Sequence, residues 1–244
     1  MTSSTRAALV TGASSGIGFA IATALGELGY DLTVVARNPE RLEKARAALT
    51  GGPTRVATIA ADLAEPDAAA KVLDTHLRRY DRLDALIHSA GVGLFGGLAE
   101  QTPRRVDLQI DLNLRALTRL VAGGMPALKK AGEEHGKALV VAISSMVGVQ
   151  PQPLVVPYSM TKAAQRAYCE GAHLECARYG IQFTAICPAL VETPGASWAE
   201  GQEKLPVEDV AEAVRFLLAT SRSCFIPEIQ LRTAGGFTLA VPAR

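Results

Sequence analysis

One stretch of the chain, 144–162, carries three residues whose types and spacing could transfer a proton. Tyr158 lies 13 positions after Ser145, and Lys162 follows Tyr158 by four positions, which is about one turn of a helix. A phenol ionises at about pH 10, and a nearby cation lowers that pKa, so Lys162 could make Tyr158 a usable proton donor or acceptor. The Ser145 hydroxyl could hold a carbonyl oxygen beside the phenol. Taken alone, this spacing also occurs on solvated helix faces.

Alternating strands and helices along the chain would position these residues. Short apolar runs followed by polar turns predict strands at 7–11, 31–36, 55–61, 83–88, 138–143, 181–187 and 228–231. Longer amphipathic segments predict helices at 19–28, 40–49, 65–80, 102–130, 158–179 and 206–219, the second of them ended by Gly51-Gly52-Pro53. This order predicts an α/β fold of doubly wound, Rossmann type, with a predominantly parallel seven-stranded sheet flanked by helices.

Composition limits the classes of protein that this chain can be. No linker, repeat or charge block divides the 244 residues, so we expect a single domain over 1–244. A net charge of +1 gives no electrostatic reason to expect nucleic acid or an anionic membrane as a partner. No apolar run approaches the roughly 18 residues of a membrane span, and no signal peptide precedes the first strand.

The four cysteines show no metal-ligand spacing. Cys169 and Cys176 are seven residues apart, about two turns along one predicted helix face, which favours buried thiols over a disulfide or a metal site. Free thiols fit a reducing compartment, so we expect a cytoplasmic protein without a bound metal.

A glycine-rich turn joins the first predicted strand to the first predicted helix. In TGASSGIG, Gly12 permits a tight turn, Gly16 lets the backbone approach phosphates, and Gly18 lets the helix pack on the strand. A strand, a glycine turn and a helix in this order direct helix N-terminal amides toward a pyrophosphate. The spacing is GxxxGxG rather than GxGxxG. A plain strand-to-helix turn is the alternative.

The end of the second predicted strand concerns the choice of cofactor. An acid there would bind the adenosine ribose and repel a 2′-phosphate, but Ala36 occupies the position and Arg37 follows. A guanidinium without a competing carboxylate favours NADP(H) over NAD(H), and Ser14 could add a hydrogen bond to the phosphate. The alternative for Arg37 is a surface charge near a helix. Asp62, after the third strand, could reach the adenine amino group or cap the following helix.

Several of these groups lie where parallel strands end. The glycine turn, Arg37, Asp62 and the segment 89–91 all follow predicted strands, and ligands of parallel sheets bind at the carboxyl ends of the strands. We therefore expect one site along this edge of the sheet.

The chain resembles the short-chain dehydrogenases/reductases along nearly its full length. The resemblance implies that 1–244 is a single dinucleotide-binding domain, with a cofactor half at about 1–140 and a catalytic and substrate half at about 141–244. TGASSGIG is similar to that family's cofactor motif, and Ala90-Gly91 to part of its NNAG motif. Ser145, Tyr158 and Lys162 match its catalytic residues in type and spacing, and DLNLRA supplies Asn113 as the fourth. Residues implied as cofactor contacts are Gly12, Ser14, Ser15, Gly16, Ile17, Gly18, Arg37, Asp62, Leu63, Ser89, Ala90, Gly91, Tyr158, Lys162, Pro188, Val191 and Thr193.

The resemblance also implies a role for each catalytic residue. Tyr158 would be the general acid in reduction and the base in oxidation, and Ser145 would orient the carbonyl. Lys162 would lower the tyrosine pKa and hold the nicotinamide ribose, and Asn113 would secure a water that links Lys162 to solvent. Relatives pack the Tyr158 helix and the helix before it against a second subunit, which implies a homo-oligomer, either a tetramer or a dimer.

Two positions depart from the family pattern. NNAG is replaced by HSAG, with His88 and Ser89 at the two asparagines. Ser89 is a shorter hydrogen-bonding substitute, and His88 is expected to be packed in the interior, with a polar role near the cofactor as the alternative. The family's Pro-Gly after the sixth strand is Pro188-Ala189, so the loop over the nicotinamide could be set differently.

The segments expected around the nicotinamide, 93–98, 146–156 and 190–198, are mainly apolar and contain no Lys or Arg. This favours an apolar ketone, aldehyde or acyl thioester over a strongly anionic small substrate. We therefore predict an NADP(H)-dependent oxidoreductase that interconverts a carbonyl and an alcohol on a largely apolar substrate. The alternatives are a 3-oxoacyl-thioester reductase, for which a basic surface patch near the pocket would be the discriminator, and a non-catalytic NADP(H) sensor.

Overall fold

The computed structural model describes residues 5–50 and 54–236, which form one α/β domain. Seven strands alternate with helices along the chain. The strands are β1 (Ala7–Thr11), β2 (Asp31–Ala36), β3 (Val56–Ala60), β4 (Ala85–His88), β5 (Ala138–Ile143), β6 (Ile181–Pro188) and β7 (Glu228–Leu231). The helices are α1 (Gly16–Glu27), α2 (Pro39–Leu49), α3 (Ala68–Tyr80), α4 (Pro103–Ile110), α5 (Ala116–His135), α6 (Val156–Cys176) and α7 (Val207–Ala219).

All strands belong to one sheet in the order β3-β2-β1-β4-β5-β6-β7, and every pairing is parallel. After β3 the chain crosses over β2 and β1 to place β4 on the other side of β1. The order therefore reverses between β1 and β4, which is where doubly wound sheets bind their ligands. This confirms the predicted fold class.

Helices cover both faces of the sheet, and strand side chains alternate between two cores. In β1, Ala8 and Val10 pack on the face covered by α1 and α7, whereas Leu9 packs on the face covered by α3, α5 and α6. Each β1 residue is fully buried because both faces are covered, and this explains why the strands read as continuous apolar runs. Cys169 and Cys176 are buried in the second core, as predicted.

Local sequence sets several of the helix ends. Asn38 caps α2 by accepting a hydrogen bond from Arg41 N at 2.8 Å, and Pro39 follows at the first helical position, where proline needs no donor. Gly136 and Gly180, with φ of 75° and 73°, end the helical segments before β5 and β6 in the left-handed conformation.

The segment around Asn113 differs from its prediction. A helix was expected over 102–130, but α4 and α5 are separated by one π-helical turn, Asp111–Arg115. Pro126 does not end α5, which continues to His135. The third helix also begins later than expected, at Ala68, because residues 62–68 form turns in which Glu65 N donates to Asp62 O and Ala68 N to Glu65 O. The expected end of α2 at 51–53 lies outside the described residues.

The amino-terminal edge of the sheet is held by a buried carboxylate. Asp84 is 2% exposed and accepts hydrogen bonds from Ala7 N at 2.8 Å, Arg82 Nε at 2.7 Å and His135 Nδ1 at 2.8 Å. Burial alone would raise the pKa of Asp84, but the bonds from Arg82 and Ala7 outweigh it and hold that pKa below its usual value. This network stabilises the edge opposite the functional one.

Candidate active site

A cavity of about 700 Å³ opens at the carboxyl edge of the sheet, over the switch point. The ends of β1, β4, β5 and β6 and the start of α6 form its wall. The residues that sequence reasoning proposed and that line this cavity are Gly12, Ser15, Gly16, Ile17, Gly18, Ser89, Gly91, Ser145, Tyr158, Lys162, Pro188, Val191 and Thr193.

The other proposed residues lie around the cavity without lining it: Ser14, Arg37, Asp62, Leu63, Ala90 and Asn113. Arg37 is exposed just beyond β2. Asp62 accepts a hydrogen bond from Ala64 N at 3.0 Å, so it closes a turn and does not cap α3, whose N-cap is Asp67. The Leu63 side chain is 3% exposed in the core, which leaves only its main chain for a ligand.

The glycine turn is packed tightly enough to require glycine. A Cβ on Gly12, whose φ is +67°, would lie 2.9 Å from Ala90 N, and one on Gly18 would lie 2.4 Å from Gly12 O. Gly16 approaches Thr193 from β6's loop, since its Cβ would lie 3.0 Å from Thr193 Cγ2. Gly16 and Thr193 both line the cavity and lie in contact, and the glycines can make these close approaches because they carry no side chain. Such a cradle at the start of α1 fits the phosphates of a dinucleotide.

Thr11 connects the ends of β1 and β4 beneath this turn. Its hydroxyl accepts hydrogen bonds from Ser89 N at 3.1 Å and Ala90 N at 3.0 Å, and it lies 3.3 Å from His88 Nδ1. His88 is fully buried, and its Nε2 lies 3.2 Å from Leu112 O. With Nε2 donating to Leu112 O and Nδ1 accepting from Thr11, the imidazole is neutral. The expectation that His88 is packed in the interior is met, and it makes two hydrogen bonds.

The two serines at the end of β5 have different partners. Ser144 donates from Oγ to Lys162 O at 2.9 Å, so its hydroxyl binds the main chain of α6. Ser145 accepts from Val147 N at 3.3 Å, lines the cavity and hydrogen-bonds with Tyr158. Both serines line the cavity, but the Ser144 hydroxyl is bound to α6, so the Ser145 hydroxyl is the one that lies beside Tyr158.

Lys162 lies one turn of α6 after Tyr158 and is 4% exposed. Its ammonium donates to Ile143 O at 2.7 Å and to Gln165 Oε1 at 3.1 Å, and Nζ lies 5.5 Å from the centre of the Tyr158 ring. Burial lowers the pKa of Lys162 to about 7. The amine is therefore poised to exchange its charge near neutral pH.

Tyr158 does not have the lowered pKa that its spacing from Lys162 predicted. Burial raises the pKa of the phenol to about 12, and the hydrogen bond with Ser145 offsets only part of the effect. The prediction was wrong in direction because it weighed the neighbouring cation and omitted the desolvation of the phenol. In this arrangement the Tyr158 phenol is protonated at pH 7.

Asn113 lies in the π turn and holds the loop after β4. Its Oδ1 accepts from Val92 N at 2.8 Å, and its Nδ2 donates to Val92 O and to Thr161 Oγ1, both at 2.9 Å. Both N–H groups of the side chain are used in these contacts, and Oδ1 accepts one hydrogen bond. Its main-chain oxygen accepts from Gln165 Nε2 at 2.6 Å. A π turn inside a helix is frequently found at functional sites, and here it directs one main-chain carbonyl toward α6.

The wall beyond Tyr158 is aromatic and carries one cation that was not expected. Phe95 packs edge-on against Tyr158 and Trp198, with ring centres 6.3 Å and 5.0 Å apart. Arg105, from α4, also lines the cavity and donates from Nη2 to Phe95 O at 2.8 Å, while its buried Nε has no hydrogen-bond partner among the described residues. The segments 93–98, 146–156 and 190–198 contain no Lys or Arg, as stated from the sequence, but α4 lies outside them and adds this cation to the wall, which weakens the argument against an anionic substrate.

Sequence reasoning missed Gln165, Arg105 and Thr11. A signal for Gln165 existed: it lies three residues after Lys162, on the same helix face, and it is polar where that face is otherwise buried. Arg105 gave no such signal, since only the packing of α4 against the loop at 92–97 brings it to the cavity.

No group of three or more His, Cys, Asp or Glu side chains suited to a metal occurs within 5–50 and 54–236. Over the same residues, no helix is long and apolar enough to span a membrane.

Comparison with known proteins identifies the family. The short chain dehydrogenase family model matches residues 6–203. An uncharacterised oxidoreductase of Staphylococcus aureus (strain MW2) is 30% identical over 227 residues, which cover 92% of this chain and 96% of the relative.

Two solved structures are similar along nearly the whole chain. An alcohol dehydrogenase from the archaeon Thermococcus sibiricus, complexed with 5-hydroxy-NADP, superposes with a TM-score of 0.85 at 30% identity, covering 94% of this chain and 97% of that one. A variant of the actinorhodin polyketide ketoreductase with NADPH gives a TM-score of 0.84 at 27% identity, covering 95% and 96%. The chain belongs to the short-chain dehydrogenase family and is an oxidoreductase that acts on small molecules.

Proposed function

We propose that the protein is an NADP(H)-dependent reductase that interconverts a carbonyl and an alcohol, with Tyr158 as the proton donor in reduction. The observation that carries the proposal is that one cavity joins the glycine turn to Ser145, Tyr158 and Lys162. A dinucleotide held by its phosphates at the turn and a carbonyl held at Ser145 would share this space. The bound nicotinamide would supply the hydride.

The protonation state of Tyr158 favours the reductive direction. A phenol with a pKa of about 12 is protonated at pH 7, which is the state a general acid needs. The alkoxide formed from a carbonyl is more basic than a phenolate, so proton transfer from Tyr158 to that oxygen is downhill. Ser145, beside the phenol, would hold the same oxygen and stabilise the charge that develops on it. Lys162 would supply the cation that stabilises the phenolate left behind.

Preference for NADP(H) rests on the end of β2. Ala36 stands where an acid would repel a 2′-phosphate, and Arg37 is exposed beside it. Both similar structures described above hold an NADP-type cofactor. Arg37→Asp should lower NADPH affinity by about tenfold or more and spare NADH, since one charge-assisted contact is lost and a like charge is gained. Arg41→Asp, four residues on in α2, is the matched surface control.

The substrate is proposed to have an apolar body and one acceptor or anionic group. Phe95, Trp198 and Leu94 give the cavity wall its apolar character, and Arg105 adds a cation whose Nε has no partner within the described chain. Arg104, next to Arg105, is exposed at the start of α4. These two arginines form a basic pair near the cavity and favour a second candidate, reduction of a 3-oxoacyl thioester carried on an acidic partner.

Turnover with a panel of apolar ketones, aldehydes, keto acids and acyl thioesters tests the proposed function. NADPH consumption that Tyr158→Phe abolishes and that Tyr168→Phe retains would support it, because Tyr168 lies on the same helix but not in the cavity. Preference for NADH would refute the cofactor assignment. Tight NADPH binding without turnover of any class would favour the sensor alternative.

Assembly and location are proposed on the family resemblance. Met160 and Leu174 are exposed apolar residues of α6, 48% and 76% accessible, on the helix that relatives pack against a second subunit. We infer a homo-oligomer, which light scattering of the purified protein would test, and a cytoplasmic location.

A further inference from the structure

A buried amide links the catalytic lysine to the π turn. Gln165 is fully buried on α6, accepts from Lys162 Nζ at 3.1 Å and donates from Nε2 to Asn113 O at 2.6 Å. Each half of the amide thus has one partner, and the two partners fix its orientation, since an ammonium can only donate and a carbonyl can only accept.

This amide links Lys162 to Asn113, whereas the family resemblance implies a water that Asn113 holds beside the lysine. Water can accept a proton on one side and release one on the other, whereas a carboxamide transmits a hydrogen bond without exchanging protons in this way. A Gln165 link therefore holds Lys162 at a set position but does not connect it to a proton source through Asn113.

The surroundings of Lys162 offer few other groups to hold its charge. On α6 the neighbouring ionisable group is Tyr158, which is neutral. His88 on β4 is held neutral by burial, and Cys187 on β6 has a pKa raised to about 11 by burial. Beyond Cys187, Arg166 and Glu228 pair with each other. No carboxylate in the described chain lies within 4.0 Å of Nζ, so the acceptors Ile143 O and Gln165 Oε1 carry the interaction with the ammonium.

We propose that Gln165 is a positioning residue that replaces the water link, holding the Lys162 ammonium in place and separating it from Asn113. The inference rests on the carbonyl–alcohol chemistry proposed above, because only that chemistry gives Lys162 its role. It assigns to this chain a proton supply that reaches Tyr158 through the open cavity.

Titration of the lysine itself tests the proposal without any substrate. The protein has seven lysines, so ¹³Cε-lysine labelling gives a short set of NMR signals, and Lys162→Met identifies the one of interest. Gln165→Met, of similar volume, removes an acceptor and should lower the pKa of Lys162 by about 1. Gln165→Glu puts a carboxylate beside the ammonium and should raise the pKa of Lys162. Gln182→Met removes a buried amide that binds the loop before β7 and should leave it unchanged.

The outcomes separate this inference from the proposed function. A Lys162 titration that is the same in Gln165→Met and wild type would overturn the inference, whether or not the enzyme turns over any substrate. If Gln165→Met does not fold, Gln165→Glu decides, because an unchanged pKa there contradicts direct contact with the ammonium. With a ketone that the panel finds, the pH profile of kcat should move in the direction of the NMR titration for each variant. A change in stability alone would not move the pH profile of kcat.

Discussion

Replacing His88 with asparagine should make the protein less sensitive to mild acid. Burial lowers the pKa of His88 to about 3, and the Lys162 charge acts in the same direction, whereas an unfolded histidine has a pKa of about 6.5. Protonation would also turn Nδ1 of His88 from an acceptor into a donor that faces Thr11, whose hydroxyl already accepts from Ser89 N and Ala90 N. Between these pKa values the unfolded chain binds a proton that the folded chain does not.

The sign and size of the effect follow from this difference. Because the folded pKa is the lower one, stability is lost as the pH falls from about 6.5 toward 3. At pH 5 the loss is 1.5 pKa units at 1.36 kcal/mol each, or about 2 kcal/mol from His88. Since pH 5 lies well above 3, this figure depends mainly on the unfolded pKa.

Urea unfolding at pH 7.5 and pH 5.0 measures the effect. Between pH 7.5 and pH 5.0, the free energy of unfolding of wild type should fall by about 2 kcal/mol more than that of His88→Asn. This difference does not depend on the variant's stability at pH 7.5, because the contributions of the other titrating groups cancel in the comparison. His76, whose pKa burial lowers to about 4, provides a positive control, and His76→Gln should show a similar reduction. Equal losses in wild type and His88→Asn would refute the neutral, buried imidazole.

Three further substitutions give separate tests. Gly91→Ala would place a Cβ 3.1 Å from Asn113 Oδ1 and should lower kcat about tenfold with little change in melting temperature, as steady-state kinetics and calorimetry would measure. Arg105→Met should raise KM about tenfold for carboxylated substrates and spare neutral ones; an equal effect from Arg104→Met would count against a cavity contact. Asp84→Asn should cost about 3 kcal/mol in urea unfolding at pH 7.5 without altering kcat, and a loss of activity at full folding would contradict its structural role.

The sequence predicts those elements whose boundaries are set by local chemistry. Strands β1, β2, β5 and β7 have the predicted bounds. The clearest of them, β1 and β5, are apolar runs between polar or glycine-containing turns. Helix α1 begins at Gly16, three residues before the expected start, because the glycine turn itself forms the first helical turn. Helix α6 begins at Val156, since Pro157 is accommodated in the first turn.

Properties that depend on which elements pack against each other could not be predicted from the sequence. The spacing of Ser145, Tyr158 and Lys162 predicts that they meet, but the desolvation that raises the phenol pKa depends on how deeply α6 is buried. Gln165 acts through the approach of the π turn to α6, and Arg105 through the approach of α4 to the loop after β4. Neither of these packing contacts follows from a local sequence pattern, so the sequence did not indicate which groups Gln165 and Arg105 would contact.

The π turn at 111–115, between α4 and α5, makes the number of residues in this segment important for the site. A π turn holds one residue more than an α-helical turn, so deleting one residue there would give an ordinary α turn and leave α4 and α5 in about their present orientation. The loss would fall inside the turn, where Asn113 holds Val92 and where its main-chain oxygen accepts from Gln165. A deletion in the regular part of α5 would instead rotate the residues on one side of it by about 100° relative to those on the other. The segment should therefore tolerate substitution on its solvent face far better than any change in residue count.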